Sequence, residues 1–525
     1  MSGMQHHELT VGSFLDHAAK WHGTTEVVSV VDGQVVRTGY ATLRERAGRL
    51  SAAFAALGIG RGDVVATLGW NTQAHLESWY AAAGIGAICH TLNPRLTPAQ
   101  LAAMVAQSRP RLLVFGEGLA ELAGEVAAAA SLPTPVALDT ADGVAALIAG
   151  QGEALAWTAV RETDPCGLCF TSGTTGAPKG VLYSHRSNHL HTLRLLQADA
   201  LALTAADRVL AVVPMFHANG WGLPFGAPAV GAALILPGRQ LAGAHLARLI
   251  VEEGVTVAAG VPTVWLDLLA HVEREGIALP SLRRIYLGGA ALPVAVQARL
   301  EEGLGASIHT SWGMTELSPL GTVAPGGVGA TLPGSSGRAP FGLDLRLTDA
   351  EGVPLAEQRG PSGHLQVRGS GVVRRYYGAD ADAADAEGWF DTGDLATIGT
   401  DGSLTITGRA KDLIKSGGEW INPAEIEAIV GALPGVALAA VVGRDDPRWG
   451  ERPVLTLELR PGAVLSDAEV AAALDGRIAR WWMPDAVIRL DRMPLAATGK
   501  IDKRAVRALV AASTSEVALQ HGSGA

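Results

Sequence analysis

The chain of 525 residues is too long for one hydrophobic core, so we expect at least two domains. Its formal net charge of -10 argues against a nucleic-acid partner, because such binders carry a basic face that neutralises phosphates. The N-terminus lacks an export signal, and prolines interrupt the most apolar stretch, residues 209–236, so we expect no transmembrane segment and a cytoplasmic location.

The three cysteines cannot form a disulfide framework, which fits a reducing compartment. Cys166 and Cys169 form a CxxC pair. A metal site needs further ligands and a redox motif needs its own fold, so we interpret these two residues as small buried side chains near a strand.

From about residue 40 to 300, helical periodicity alternates with short apolar runs. The pattern predicts a helix over 43–57 and another opened by the capping sequence Thr97-Pro98-Ala99-Gln100. Strands are predicted at 64–68, 112–115, 209–213, 234–236, 255–259 and 285–287. Such alternation indicates an α/β fold with a largely parallel sheet that helices cover on both faces.

The rhythm changes twice towards the C-terminus. Residues 338–408 read as strands and turns, with Asp401-Gly402 leading into a hairpin strand, and predict a β-rich subdomain. After Gly408, helix and strand patterns resume, with a capping box over residues 466–469, and predict a small α+β domain.

The strongest local signal is the stretch 170–180, Phe-Thr-Ser-Gly-Thr-Thr-Gly-Ala-Pro-Lys-Gly, which directly follows an apolar run. Its glycines let the backbone approach a ligand, its amides and hydroxyls donate, and Lys179 adds positive charge, so it suits polyphosphate. It is not a Walker A loop, because Pro178 stands where that motif needs glycine and Gly180 where it needs Ser or Thr. A flexible linker is disfavoured, since linkers rarely follow a buried strand.

Six further blocks follow in order: 213–221, 288–291, 311–316, 389–394, 408–412 and 498–500. With the first, they resemble the superfamily of adenylate-forming enzymes, which includes acyl-CoA synthetases, firefly luciferase and peptide-synthetase adenylation domains. The resemblance spans nearly the whole chain. It implies a large N-terminal domain of mixed and parallel sheets with a β-rich subdomain (1–408), a hinge (409–411) and a small mobile C-terminal domain (412–525).

The resemblance also implies site residues. Thr171 and Glu316 would hold Mg²⁺, a role that suits hard oxygen ligands, Asp394 would accept the ribose hydroxyls, and Trp312 stands where tyrosine is usual, so it could stack on adenine without a phenolic hydrogen bond. The residues expected to bind nucleotide or substrate are Thr171, Ser172, Gly173, Thr174, Thr175, Gly176, Lys179, Ala218, Trp221, Gly289, Ala290, Ala291, Thr310, Ser311, Trp312, Gly313, Met314, Thr315, Asp394, Arg409, Lys411, Lys415, Trp420 and Lys500.

Three residues are the implied catalytic groups. Lys500 would neutralise the charge that builds when a carboxylate attacks the α-phosphate of ATP, Lys179 would hold the phosphates, and His217 would either contact the carboxylate or only pack. Lys411 matches the hinge about which family members rotate the small domain between adenylation and thioester formation, and Gly417 and Gly418 would leave room for the pantetheine arm of coenzyme A.

The blocks at 216–222 and 416–421 resemble medium- and long-chain fatty acyl-CoA synthetases, in which the first block's tryptophan gates the acyl tunnel, so Trp221 is the candidate gate. A core aromatic is the alternative for this residue. Aryl acids, short functionalised acids, a carrier protein as acceptor in trans, a luciferase-type oxygenase and a non-catalytic nucleotide-binding protein are the open alternatives. Similar enzymes are often homodimers.

Overall fold

The structure is a computed structural model that describes residues 3–171, 178–290, 292–326, 334–496 and 500–521, with side chains described as far as 513. The elements up to residue 323 are, in chain order, α1 (Gly12–Trp21), β1 (Glu26–Val31), β2 (Gln34–Gly39), α2 (Tyr40–Ala56), β3 (Val64–Leu68), α3 (Gln73–Gly84), β4 (Ile88–Leu92), α4 (Pro98–Ser108), β5 (Leu112–Phe115), α5 (Ala120–Ala129), β6 (Val136–Ala137), α6 (Val144–Ala149), β7 (Pro165–Thr171), β8 (Lys179–Ser184), α7 (His185–Leu195), β9 (Arg208–Ala211), α8 (Leu223–Val230), β10 (Ala233–Leu236), α9 (Gly243–Glu252), β11 (Val257–Gly260), α10 (Pro262–Glu275), β12 (Arg284–Leu287), α11 (Val294–Leu304), β13 (Ser307–Gly313) and β14 (Leu320–Val323).

These strands form two mixed sheets. One has six strands in the order β6-β5-β3-β4-β7-β8, parallel except for the last pair. The other has eight, in the order β14-β13-β12-β11-β9-β10-β1-β2, with antiparallel pairs only at its two edges. The central strands β3 and β4 are buried along their whole length, as expected for parallel strands covered on both faces.

The remaining elements form two smaller sheets. They are β15 (Leu343–Thr348), β16 (Ser362–Gly369), β17 (Phe390–Ile398), β18 (Leu404–Arg409), β19 (Ile414–Ser416), β20 (Glu419–Ile421), α12 (Pro423–Gly431), β21 (Val436–Asp446), β22 (Gly450–Leu459), α13 (Asp467–Leu474), β23 (Ala486–Arg489) and α14 (Lys503–His521). Strands β15 to β18 make an antiparallel four-stranded sheet, which is the predicted β-rich subdomain. Strands β19 to β23 make a five-stranded sheet in the C-terminal part of the chain.

The predicted α/β fold class is confirmed. The strands predicted at 64–68 and 112–115 match β3 and β5 residue for residue, whereas the helix predicted at 43–57 begins three residues earlier, at Tyr40. Both predicted capping boxes are formed, by Thr97 with Gln100 and by Ser466 with Glu469. Their side chains satisfy backbone N–H groups that the first helical turn leaves without partners.

The two cysteines of the CxxC pair are buried, as interpreted from the sequence. Cys166 packs in the cluster around Trp79, whereas Cys169 packs in the cluster around Tyr183 and Trp312. Because residues three apart in a strand point to opposite faces, the two thiols are separated by the sheet itself. None of the helices within the described ranges combines the length and the apolar composition that crossing a membrane requires.

The topology decides where a site can form. The parallel strands β9, β11, β12 and β13 end at the same edge of the eight-stranded sheet, and the loops after them carry His217, Gly288 to Ala290 and Glu316. Carboxyl ends of parallel strands are the usual location of ligand sites in α/β folds.

Candidate active site

The predicted phosphate loop joins β7 to β8. Thr171, the last residue of β7, lies directly opposite Lys179, the first residue of β8. The Thr171 hydroxyl donates to the Lys179 carbonyl oxygen at 3.4 Å. The intervening Ser172, Gly173, Thr174, Thr175 and Gly176 lie outside the described residues, so their role in binding phosphate stays a prediction.

Glu316 follows β13 in a short 3-10 helix and has only 7% of its surface exposed. The Tyr376 hydroxyl donates to Glu316 Oε1 at 2.9 Å, and the Lys179 ammonium lies 4.9 Å from the centroid of the same tyrosine ring. Burial raises the pKa of Glu316, and the Tyr376 hydrogen bond and the charges of Arg409 and Lys179 oppose that shift. Glu316 is therefore a buried carboxylate beside cations and not a solvated surface acid.

Sequence reasoning missed Tyr376. The residue lies in the irregular segment between β16 and β17, where neither hydrophobic periodicity nor a block of the resemblance marked it. Only the tertiary structure brings its hydroxyl onto Glu316.

Asp394 lies on β17, opposite Arg409 on β18, and is almost fully buried. Arg409 Nε lies 2.5 Å from Asp394 Oδ1, and Trp312 Nε1 donates to Oδ2 at 2.8 Å. Burial raises the pKa of Asp394, while Arg409, the Trp312 hydrogen bond and Lys500 lower it. Both carboxylate oxygens thus have one partner each, and each oxygen keeps a further acceptor position.

Lys500 reaches this site from the C-terminal part of the chain. The Ala496 N–H donates to the Lys500 carbonyl at 2.7 Å, and Leu495 forms an antiparallel bridge with Ile501. The Lys500 side chain lies against Gly289, because a Cβ built there would be 3.3 Å from Lys500 Cε. Burial and the Arg409 charge lower the pKa of Lys500, and Asp394 and Glu316 oppose that shift.

The loop after β12 leaves little room for side chains. A Cβ built on Gly288 would lie 2.6 Å from Ser311 Oγ and 2.8 Å from Trp221 Cη2. Gly289 has φ +88, a conformation that favours glycine. Ala290 follows it, and Ala291 lies outside the described residues.

The other predicted residues after β12 are tied into the scaffold. The Ser311 hydroxyl donates to the Leu287 carbonyl at 2.9 Å, and the Thr310 hydroxyl donates to the Ser335 carbonyl at 2.8 Å. Further along, Met314 N–H donates to the Pro319 carbonyl at 3.1 Å, the Thr315 carbonyl accepts from Tyr183 at 2.7 Å, and Gly313 packs against Pro319.

The segment 217–222 has an unusual backbone. After His217, the five residues from Ala218 to Gly222 have φ between 40 and 77, and three of them, Ala218, Asn219 and Trp221, are not glycine. Such left-handed residues cost energy and cluster at ligand sites. Desolvation, with the charges of Lys500 and Arg95, lowers the pKa of His217 to about 4, so its imidazole is neutral at pH 7.

The remaining predicted nucleotide contacts lie on the C-terminal side. Burial lowers the pKa of Lys411, with smaller effects from the cations Arg409, Arg504 and Arg507. Lys415 and Trp420 face each other across β19 and β20, with the ammonium 5.4 Å from the indole centroid. Trp420 is 53% exposed, so the structure does not bury these two residues with Lys500 and Asp394.

The described site therefore joins four parts of the fold: the six-, eight- and four-stranded sheets and the C-terminal part of the chain. Lys179, Lys500 and Arg409 supply positive charge around the buried carboxylates of Glu316 and Asp394. Alternating cations and carboxylates suit a ligand that carries both phosphates and hydroxyl groups, with or without a bound cation.

Comparisons with known proteins agree with this geometry. Residues 14–377 match the family described as AMP-binding enzyme, and residues 425–500 match the AMP-binding enzyme C-terminal domain. The chain is 42% identical over 524 residues to a 3-methylmercaptopropionyl-CoA ligase of Ruegeria lacuscaerulensis, covering 95% of this chain and 97% of the relative. It is 40% identical over 534 residues to a medium-chain-fatty-acid–CoA ligase of Ectopseudomonas oleovorans, covering 96% of each. The solved structure of ATP-bound MatB from Rhodopseudomonas palustris is similar, with a TM-score of 0.85, 27% identity and coverage of 96% and 99%.

Proposed function

This chain belongs to the AMP-binding enzyme family, and we propose that it is an ATP-dependent acyl-CoA synthetase whose acid substrate is a fatty acid. It is an acid–thiol ligase, and ATP, a carboxylic acid and coenzyme A fit it as substrates. The observation that carries the proposal is the position of Lys500, which the C-terminal part of the chain places against Gly289, where its charge interacts with those of Arg409, Asp394 and Glu316.

In the first half-reaction, a carboxylate oxygen of the acid attacks the α-phosphorus of ATP, and the bond to pyrophosphate breaks. Negative charge grows on the α-phosphate and on the leaving group during this step. The Lys500 ammonium, placed against Gly289, would stabilise the charge on the α-phosphate. Lys179, at the end of the phosphate loop, would stabilise the charge on the leaving pyrophosphate. Asp394 would hold the ribose through its remaining acceptor positions.

The residues present fit a magnesium ion. Glu316 is a buried carboxylate that shares the neighbour Tyr376 with Lys179, and hard oxygen ligands are those that Mg²⁺ prefers. We propose that Glu316 holds the ion with help from the Thr171 hydroxyl. When bound, the ion would neutralise phosphate charge. Tyr376 would keep the Glu316 carboxylate oriented towards it.

In the second half-reaction, the sulfur of coenzyme A attacks the acyl carbonyl carbon, and AMP leaves. This step needs different groups from the first, so we propose that residues 409–411 act as the hinge between a large domain, 1–408, and a small domain, 412–525. Rotation would withdraw Lys500 and bring the loop with Gly417 and Gly418 to the site, where two glycines leave space for the pantetheine arm.

A fatty acid is the acyl substrate that we propose. The block that contains Trp221 resembles the one whose tryptophan gates the acyl tunnel in medium- and long-chain fatty acyl-CoA synthetases, and an apolar tunnel would gain roughly 0.8 kcal/mol per buried methylene of an alkyl chain. The similarity to a medium-chain-fatty-acid–CoA ligase supports the same class. A short functionalised acid is the second candidate, because a 3-methylmercaptopropionyl-CoA ligase is similar over almost the whole chain.

Pyrophosphate exchange tests the proposal. Purified protein with ATP and magnesium would be given acids from acetate to long-chain and aromatic acids, with 3-methylmercaptopropionate among them. We expect acid-dependent exchange of labelled pyrophosphate into ATP, strongest with medium- or long-chain acids. No exchange with any acid would refute the proposed chemistry, and a maximum with another class would refute only the fatty acid.

A second assay identifies the acceptor. Preformed acyl-AMP would be offered to coenzyme A and to a pantetheinylated carrier protein, and we expect thioester with coenzyme A. We also propose a homodimer, which rests on similarity to fatty acyl-CoA synthetases. Sedimentation at several protein concentrations checks it.

A further inference from the structure

Trp312 and Asp394 come from different sheets and meet through one hydrogen bond. Trp312 lies near the end of β13 in the eight-stranded sheet, and Asp394 lies in β17 of the four-stranded sheet. The indole Nε1 donates to Asp394 Oδ2 at 2.8 Å. The strand pairing is irregular beside both residues, between Trp312 and Gly313 and between Leu395 and Ala396. Such irregularities change the direction in which neighbouring side chains point, so the backbone of each strand helps to orient Trp312 and Asp394 towards each other.

The indole ring is held firmly on its other side. Trp312 is only 8% exposed and packs in the cluster that contains Cys169 and Tyr183. A Cβ at Gly321 would overlap the edge of the ring, so a glycine is needed for the indole to fit. A ring packed this closely cannot turn, and its N–H direction is therefore set before any ligand binds.

The carboxylate is held from two directions. Trp312 bonds one oxygen and Arg409 the other, which fixes the plane of the Asp394 carboxylate. A carboxylate has about four acceptor positions, so roughly two stay available for hydroxyl groups. To bind two neighbouring hydroxyl groups at once, the carboxylate must hold these remaining acceptor positions in a fixed orientation.

We propose that Trp312 is a positioning residue for ribose recognition: its indole N–H holds Asp394 so that the carboxylate accepts hydrogen bonds from the ribose hydroxyls of the nucleotide. This inference rests on the proposed function only in taking the ligand to be an adenine nucleotide. It assigns the tryptophan a task that depends on its N–H, whereas stacking on adenine would depend only on its ring.

The consequence is a change in hydroxyl selectivity. Trp312→Phe keeps an aromatic ring and removes the N–H, so the carboxylate loses one of its two restraints. We expect AMP to bind about tenfold more weakly, because a hydrogen bond to a charged group is lost and the ribose bonds weaken with it. Deoxynucleotides should lose less, because they make fewer of those bonds.

Calorimetric titration of the full-length chain with AMP, 2′-deoxy-AMP and 3′-deoxy-AMP tests this. The wild type should bind AMP more tightly than either deoxynucleotide. In Trp312→Phe the ratio of the dissociation constants of deoxynucleotide and AMP should fall towards one. Trp389→Phe is the matched control, since Trp389 is a similarly buried tryptophan, 7% exposed, in the same β-rich subdomain as Asp394, and its ring lies against Arg346 and Arg368 instead of Asp394. Its preference for AMP should equal that of the wild type.

Two results would overturn the inference: equal weakening of all three nucleotides in Trp312→Phe, or no change in any of them. If that variant does not fold, Trp312→Leu takes its place, because it also keeps an apolar side chain at this position and lacks the N–H. Its preference for AMP should also fall, and an unchanged preference would overturn the inference. The titration needs no acid and no turnover, so absence of pyrophosphate exchange in the wild type would count against the proposed function alone.

Discussion

The Tyr376 hydroxyl donates a 2.9 Å hydrogen bond to Glu316 Oε1, while the face of its ring lies 4.9 Å from the Lys179 ammonium. One tyrosine therefore contacts both the proposed metal ligand and the proposed phosphate ligand. The contact with Lys179 is a cation–π interaction, which orients the ammonium without neutralising it.

Tyr376→Phe should raise the KM for magnesium–ATP in pyrophosphate exchange by about tenfold, because the Glu316 carboxylate loses the hydrogen bond that orients it. Thioester formation from preformed acyl-AMP should be unaffected, since that step uses no ATP. The neighbouring Tyr377→Phe is the control and should keep the wild-type KM. Equal loss in both half-reactions would contradict a role limited to ATP.

Lys500→Ala should reduce adenylate formation by about 10² to 10³, the usual cost of removing one group that stabilises transition-state charge. Thioester synthesis from preformed acyl-AMP should remain largely intact. The two rates are measured separately, by pyrophosphate exchange and by thiol consumption. Equal loss of both would contradict the assignment of Lys500 to the first half-reaction.

The rate of adenylation should fall as the pH rises. The midpoint of this fall should lie at a lower pH than the pKa of a free lysine. Burial and Arg409 lower the pKa of Lys500 below its ordinary value of 10.5, although Asp394 and Glu316 oppose them, so the ammonium is lost earlier. His217, with a pKa of about 4, stays neutral over this range. In Lys500→Arg the guanidinium keeps its charge, and the alkaline decline of pyrophosphate exchange should move upward. The same decline in both proteins would show that another group titrates.

Gly288→Ala should impair use of the acid more than use of ATP. The added Cβ would meet Ser311 Oγ at 2.6 Å and Trp221 Cη2 at 2.8 Å, so the indole must shift. If Trp221 borders the acyl chain, the KM for a medium-chain acid should rise about tenfold and that for ATP should change little. Gly431→Ala is a matched control, because a Cβ there meets nothing closer than 4.0 Å. A selective rise in the KM for ATP would instead place Gly288 and Trp221 beside the nucleotide.

The sequence by itself determined the local elements and the chemistry. Strands that are buried on both faces leave a continuous apolar run in the sequence, so the bounds of β3 and β5 could be predicted to the residue. Capping boxes predict the starts of α4 and α13, because they satisfy backbone groups within the same helical turn. The order of the seven blocks indicated the reaction class, because each block keeps its residue types close together in the chain.

Only the tertiary structure decided which side chains meet. Tyr376 reaches Glu316 across 60 positions and Trp312 reaches Asp394 across 82, and such contacts leave no periodic trace in the sequence. The burial that raises the pKa of Glu316 and lowers that of Lys500 likewise comes from packing between distant segments. Periodicity and capping depend on neighbours within a few residues, whereas a site depends on where sheets and loops finally lie.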